Sequence, residues 1–139
     1  MKTSFSLDLR CIDQSFITYK NVDFISGNAC RVLALAYAGG ESLTHPLISP
    51  LFGDLAGLPN TYIQAGTKEV FIDSIRKFKN KLEECEVKVK LDEFENMVHV
   101  FQAFQLALPT IADEAFSRIG GFFKQVFSNN DNHKKVAKL

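Results

Sequence analysis

A chain of 139 residues, 46% apolar with thirteen Phe and no Trp, has the length of one domain and enough apolar side chain for a core, which excludes disorder over most of its span. Sixteen basic residues balance sixteen acidic ones, so no global field gathers nucleic acid or an anionic membrane surface. Cys11, Cys30 and Cys85 are odd in number, widely spaced and without a CxxC pair, which argues against a disulfide framework or a thiolate zinc site and fits a reducing, cytoplasmic setting.

The N-terminal MKTSFSLDLRC interrupts its apolar residues with Ser, Asp and Arg, unlike the continuous apolar segment of a signal peptide. No stretch approaches the roughly 18 to 20 apolar residues of a membrane span. Phe5, Leu7 and Leu9 alternate with Ser6 and Asp8, the two-residue period of a short strand. Ser26 is placed to cap a helix over 27–38 whose apolar body is Val32, Leu33, Leu35, Ala36 and Tyr37, and Gly39-Gly40 stop it by tolerating left-handed backbone. The segment GGESLTHPLISPLFGDLAGLPN mixes Gly and Pro with Leu, Ile and Phe, the composition of an ordered connector that covers something apolar.

Thr61-Tyr62-Ile63-Gln64-Ala65 reads as a strand ended by Gly66. From about Val70 the period lengthens: Phe71, Ile75, Phe78 and Leu82 recur every three or four residues, an amphipathic helix. Its Lys77, Lys79 and Lys81 read as a solvated face. Val87, Val89 and Leu91 alternate with Lys88 and Lys90 as a second strand with one wetter face, near a sheet edge. A last helix is predicted over 111–127, with Gly120-Gly121 allowing close approach or a bend, before the polar tail SNNDNHKKVAKL.

Strand, helix, strand and helix in this order predict an α/β fold with parallel pairing across the helix. The expected organisation is a single domain over 1–139, with 1–58 as helix and connector, 59–128 as the strand-helix-strand-helix core and 129–139 as tail. Two or three strands make a very small parallel sheet, so the exposed edge predicts a marginal monomer or an oligomer.

The carboxyl ends of parallel strands share one rim, where ligands of open α/β sheets bind. Glu69 and Asp73 follow the first strand and His99 follows the second, so a carboxylate and an imidazole thirty residues apart in sequence are brought to one rim. That pairing suits an acid that fixes a histidine tautomer while the other ring nitrogen accepts a proton. From spacing alone a structural histidine is the commoner outcome, and Glu69 and Asp73 also suit the first turn of a helix, at the positive end of its dipole. His45, before Pro46, reads as a loop contact and His133 as exposed tail. No ligand spacing for a metal, phosphate loop or other cofactor motif is found, and the FFKQ and HKK patches are too small for nucleic acid.

HPLISPLFGDLAGLPNTYIQAGTKEVFIDS followed by FENMVHVF closely resembles the C-terminal portion of the hormone-sensitive-lipase-like branch of the α/β-hydrolase superfamily, esterases and acetyl-hydrolases acting on small carboxylic esters. The SPLFGDLAGLP run, the GxxE ending at Glu69 and the MxH ending at His99 carry the resemblance. DLRCIDQSFITYKNVDFIS and YAGG look like the cap-flanking segment that precedes them. The resemblance implies a partial α/β-hydrolase fold with Glu69 as triad acid, His99 as general base and Asp73 as a supporting acidic residue of the same loop. It also implies a serine on a G-x-S-x-G elbow and an upstream HGGG-type oxyanion loop; none of the nine serines lies in such a frame.

Three functions follow as expectations. The first is a truncated carboxylic-ester hydrolase that keeps acid and base but is inactive alone. The second is a C-terminal subunit completed by a separate N-terminal hydrolase half, and the third a non-catalytic homo-oligomeric binding protein joined through the sheet edge.

Overall fold

The computed structural model describes the backbone of residues 7–136 and side chains through residue 128. The chain divides into two compact units between His99 and Val100.

In the first unit, strands β1 (Thr61–Gly66) and β2 (Val89–Phe94) pair in parallel, Thr61 beside Val89 and Gly66 beside Phe94. Helix α3 (Ile72–Glu84) connects them. Alternation along the strands separates two faces. Ile63, Ala65, Val89 and Leu91 meet apolar side chains of α3 and its flanks in two clusters, one around Val70, Phe71, Ile72 and Ile75, the other around Leu55, Leu82 and Val87, with Ile63 in both. The opposite face is polar: Tyr62 donates its hydroxyl to Asp92 Oδ2 at 2.5 Å, and Gln64 Nε2 donates to the Tyr62 oxygen at 3.0 Å. Such cross-strand pairs fix register, because a slip of one residue would exchange the two faces. Leu82 has no exposed surface, and its truncation to alanine would cost about 2–5 kcal/mol.

Upstream lie the one-turn helix α1 (Ser15–Thr18) and helix α2 (Gly27–Ala38). The latter starts and stops as its sequence predicts. Ser26 Oγ accepts the Ala29 N–H at 3.4 Å, and Gly39, at φ 58°, donates its N–H to Leu35 O. Its buried residues are Ala34 and Ala38, while Val32, Leu33, Leu35 and Tyr37 are exposed. The connector is ordered, with a 3-10 turn at Pro50–Phe52 and a buried Ser49 whose hydroxyl donates to Leu43 O.

Three sequence expectations are corrected. The alternating N-terminal segment forms no strand from Leu7 onward, and Phe5 and Ser6 lie outside the described residues. Asp8 takes the Arg10 N–H and guanidinium, bending the chain locally, while Leu7 O and Leu9 N–H bond to Leu51 and Ser49 of the connector; local carboxylate bonding competes successfully with a ladder. The α3 lysines are not a merely solvated face. Lys77 pairs with the buried Asp13, and Lys81 Nζ donates to the carbonyls of Leu51 and Gly53 at 2.9 and 2.6 Å, tying connector to helix. Finally, the polar segment after Phe127 continues as helix to Val136; the side chain of His133 lies outside the described residues.

The second unit comprises a 3-10 turn at Phe101–Phe104 packed on helix α4 (Pro109–Val136). Gln105 Nε2 donates to Asp113 Oδ1 at 2.9 Å, and Phe123 stacks on Phe127. Among the described residues a Cβ at Gly120 or Gly121 would meet nothing within 4 Å, so no close approach is seen there. Val100 enters the turn at φ 45° and ψ 36°, a left-handed conformation that is strained for a β-branched residue by about 1–2 kcal/mol. Val100→Gly is therefore expected to leave urea stability unchanged or to raise it by about 1 kcal/mol; a loss of that size would show that the side chain contributes more than the strain costs.

Candidate active site

Because β1 and β2 run in parallel, the loops that follow them leave from the same rim. The two are stitched together directly: Thr67 N–H donates to Phe94 O at 3.0 Å, Lys68 N–H to Met97 O at 2.9 Å, and Asn96 N–H to Thr67 Oγ1 at 2.9 Å. Asn96 turns the second loop at φ 63°, a left-handed position that Asn tolerates better than most residues. Gly66 is required for the close approach of the two loops. A Cβ there would stand 2.2 Å from Met97 O.

This stitching brings Glu69 and His99 into contact. Glu69 Oε2 accepts the Gly66 N–H at 2.8 Å, and Oε1 lies 3.2 Å from His99 Nδ1. A carboxylate only accepts, so the bond requires the proton on Nδ1, and in the neutral ring Nε2 is then the acceptor. The Phe71 ring meets the imidazole edge-on at 4.9 Å. Two neighbours thus hold the ring, one polar and one apolar. The Glu69 side chain is 3% exposed and that of His99 17%, so the acid is sealed while the base keeps access to its surroundings.

Asp73 lies in the first turn of α3, and its Oδ2 accepts the Ser15 N–H at 2.8 Å. The three predicted residues therefore divide into a touching pair and a brace to the N-terminal segment. Two residues that sequence reasoning passed over also reach the acid loop. Ser15 Oγ donates to Val70 O at 2.6 Å, and Asp23 Oδ2 accepts the Val70 N–H at 2.9 Å. Neither stands in a motif or a periodic pattern that would have singled it out.

His45 Nδ1 accepts the Leu47 N–H within its own loop. Among the described residues no three His, Cys, Asp or Glu side chains are grouped to hold a metal ion, and no helix is long and apolar enough to cross a membrane. An open cleft of about 400 Å³ is lined by Arg76, Lys79, Asn80, Leu91 and Glu93, a different set from the rim pair.

All three cysteines are free. Burial, with a smaller contribution from Cys30, pushes the Cys11 thiol up to about 11, and burial also raises Cys30, helped by the Asp23 charge. Neither is prepared as a thiolate nucleophile. At pH 8 the thiolate fraction of Cys11 is about a hundredfold below that of a thiol at the ordinary 9.0, so iodoacetamide is expected to alkylate it correspondingly slowly, as followed by peptide mass spectrometry. Labelling at the rate of a free cysteine would contradict its burial.

Residues 6–103, which include the stitched loops and both members of the pair, match the family described as alpha/beta hydrolase fold. The chain belongs to the alpha/beta hydrolase fold family. Among curated relatives, this alpha/beta hydrolase chain is 40% identical over 77 residues to an esterase of Acinetobacter venetianus, covering 55% of this chain and 25% of that protein. It is 35% identical over 103 residues to an acetyl-hydrolase of Streptomyces hygroscopicus, covering 73% and 34%. A crystal structure of an esterase from the bacterial hormone-sensitive lipase family superposes with a TM-score of 0.80 at 32% identity, over 86% of this chain and 40% of that one. A hormone-sensitive lipase from a metagenome library gives 0.81 at 28% identity, over 86% and 41%. The alpha/beta hydrolase fold is thus present in part, a small parallel sheet with flanking helices, and the chain spans between a quarter and two fifths of the length of these larger relatives.

Proposed function

We propose that this alpha/beta hydrolase chain carries the acid and base of a carboxylic-ester hydrolase and corresponds to the C-terminal portion of such an enzyme. In this reading the serine nucleophile and the oxyanion loop come from polypeptide outside residues 1–139. Glu69 is the acid and His99 the general base, and the observation that carries the assignment is the 3.2 Å contact between them at the shared rim of two parallel strands. The names of the esterase, lipase and acetyl-hydrolase relatives support carboxylic esters as the substrate class.

The chemistry follows from the tautomer. With the proton held on Nδ1 by Glu69, Nε2 takes the serine proton as the hydroxyl attacks the ester carbonyl, and the imidazolium so formed is stabilised by the adjacent carboxylate. The same nitrogen then returns the proton to the departing alcohol and, in the second half-reaction, activates water against the acyl-enzyme. Asp73 contributes indirectly, by anchoring Ser15 against the start of α3. The serine is absent from the sequence as a G-x-S-x-G frame, so the purified chain alone neither turns over a p-nitrophenyl ester nor reacts stoichiometrically with a fluorophosphonate.

Val32, Leu33, Leu35 and Tyr37 of α2 are exposed, and further polypeptide seated on this helix would bury them, which favours completion. Mixing the chain with an N-terminal hydrolase portion bearing the elbow tests this directly, and ester turnover only in the mixture is the expected result. A stable dimer of the chain that gains no activity from that portion would favour the non-catalytic oligomer instead.

A further inference from the structure

We infer that Ser15 and Asp23 are positioning residues for the Glu69–His99 pair, acting through the main chain of Val70; the inference rests on the reading of that pair as acid and base. Val70 is fully buried and lies between the two residues that touch the imidazole, Glu69 on one side and Phe71 on the other. Both polar atoms of its main chain are captured by side chains from far upstream. Asp23 Oδ2 accepts its N–H at 2.9 Å, and Ser15 Oγ donates to its carbonyl at 2.6 Å.

With N–H and C=O both held, the peptide planes on either side of Val70 cannot rotate without breaking a buried bond. The directions in which Glu69 and Phe71 leave the chain are fixed with them. The clamp is itself braced. Ser15 N–H donates to Asp73 Oδ2 at 2.8 Å, Phe16, the residue after Ser15, meets Phe71 edge-on at 5.4 Å, and Asp23 Oδ1 accepts the Ile25 N–H at 3.3 Å. Ser15 and Asp23 are 2% and 7% exposed. Loss of either bond inside such a site leaves a buried polar group without a partner, which the loop relieves by moving. Residues behind a catalytic contact control its geometry in this way, and small displacements at a proton-transferring pair have large effects.

The tautomer of His99 reports this positioning without any need for turnover. In two-bond nitrogen-proton spectra of the labelled chain at pH 8, His99 is expected in the Nδ1–H form, with His45 and His133 as internal references. Ser15→Ala and Asp23→Ala are expected to shift it toward the Nε2–H form of a free imidazole, and Asp23→Asn, which keeps an acceptor for the Val70 N–H, to recover part of the loss. Leu82→Ala, in the other apolar cluster, is expected to lower stability and leave the His99 tautomer unchanged. Should Asp23→Ala fail to fold, the milder Ser15→Ala, which removes the bond to the Val70 carbonyl, carries the comparison.

Ring shifts of His99 that stay at their wild-type values in folded Ser15→Ala and Asp23→Ala chains, or in Ser15→Ala alone where Asp23→Ala does not fold, would overturn the inference, as would an equal change in Leu82→Ala. A wild-type His99 that is not in the Nδ1–H form counts against the acid-base pair itself. That reading is judged independently by ester turnover in the completed enzyme, so the two failures are distinguishable.

Discussion

Gly66→Ala is expected to destabilise the first unit by about 3 kcal/mol or more, an unusually large effect for the addition of one methyl group. The new Cβ would stand 2.2 Å from Met97 O, 2.5 Å from Met97 C and 2.8 Å from Val98 O, all of them backbone atoms. No flexible side chain can move aside to accept it. The 95–99 loop would have to retreat, which breaks the Lys68 N–H bond to Met97 O and draws His99 away from Glu69. Stability and site are therefore coupled at this residue. Urea denaturation measures the loss, and a change below about 1 kcal/mol would mean that the two loops are held less closely than their hydrogen bonds require.

Removal of the base is expected to have the largest effect on catalysis. In an enzyme completed with a serine-bearing portion, His99→Ala should lower kcat by about 10⁴- to 10⁶-fold, the scale on which a proton-transferring histidine contributes to serine hydrolysis. Glu69→Gln should come close to this, at about 10⁴-fold, while leaving the fold largely intact. The amide keeps an acceptor for the Gly66 N–H, yet it can turn a donor toward Nδ1 and so favour the wrong tautomer. Steady-state kinetics on both variants, with circular dichroism to confirm folding, checks the pair. A Glu69→Gln enzyme that retains most of its activity would reduce Glu69 to a structural carboxylate that binds the Gly66 N–H.

The core of this arrangement was legible because it rests on periodicity and topology. The strand run Thr61–Ala65, the helical period after Val70 and the alternation of Val87, Val89 and Leu91 with lysines predict a parallel pair, and a parallel pair brings Glu69 and His99 to one rim whatever their sequence separation. Strand β2 is displaced from its apolar signal for a physical reason. Val87 packs into the cluster at the end of α3, while the strand continues through Asp92 and Glu93, whose charges look like a terminus in sequence but are met by Tyr62 and by Arg76.

What stayed illegible is carried by single side chains bonding to distant backbone. Ser15 and Asp23 reach Val70 across 55 and 47 residues, and Lys81 reaches the carbonyls of Leu51 and Gly53. Such bonds have no period and no fixed spacing, so nothing in the sequence distinguishes these residues from ordinary surface polar groups. The N-terminal alternation misled for a related reason, since Asp8 and Arg10 satisfy each other within a turn.

Hydrolysis of p-nitrophenyl butyrate by the purified 139-residue chain, alone and together with an N-terminal hydrolase portion carrying a G-x-S-x-G elbow, tests the acid-base assignment most directly. No turnover by the chain alone is expected, with turnover in the mixture and its abolition by His99→Ala. Turnover by the chain alone, or a mixture whose activity is indifferent to His99→Ala, would contradict the assignment.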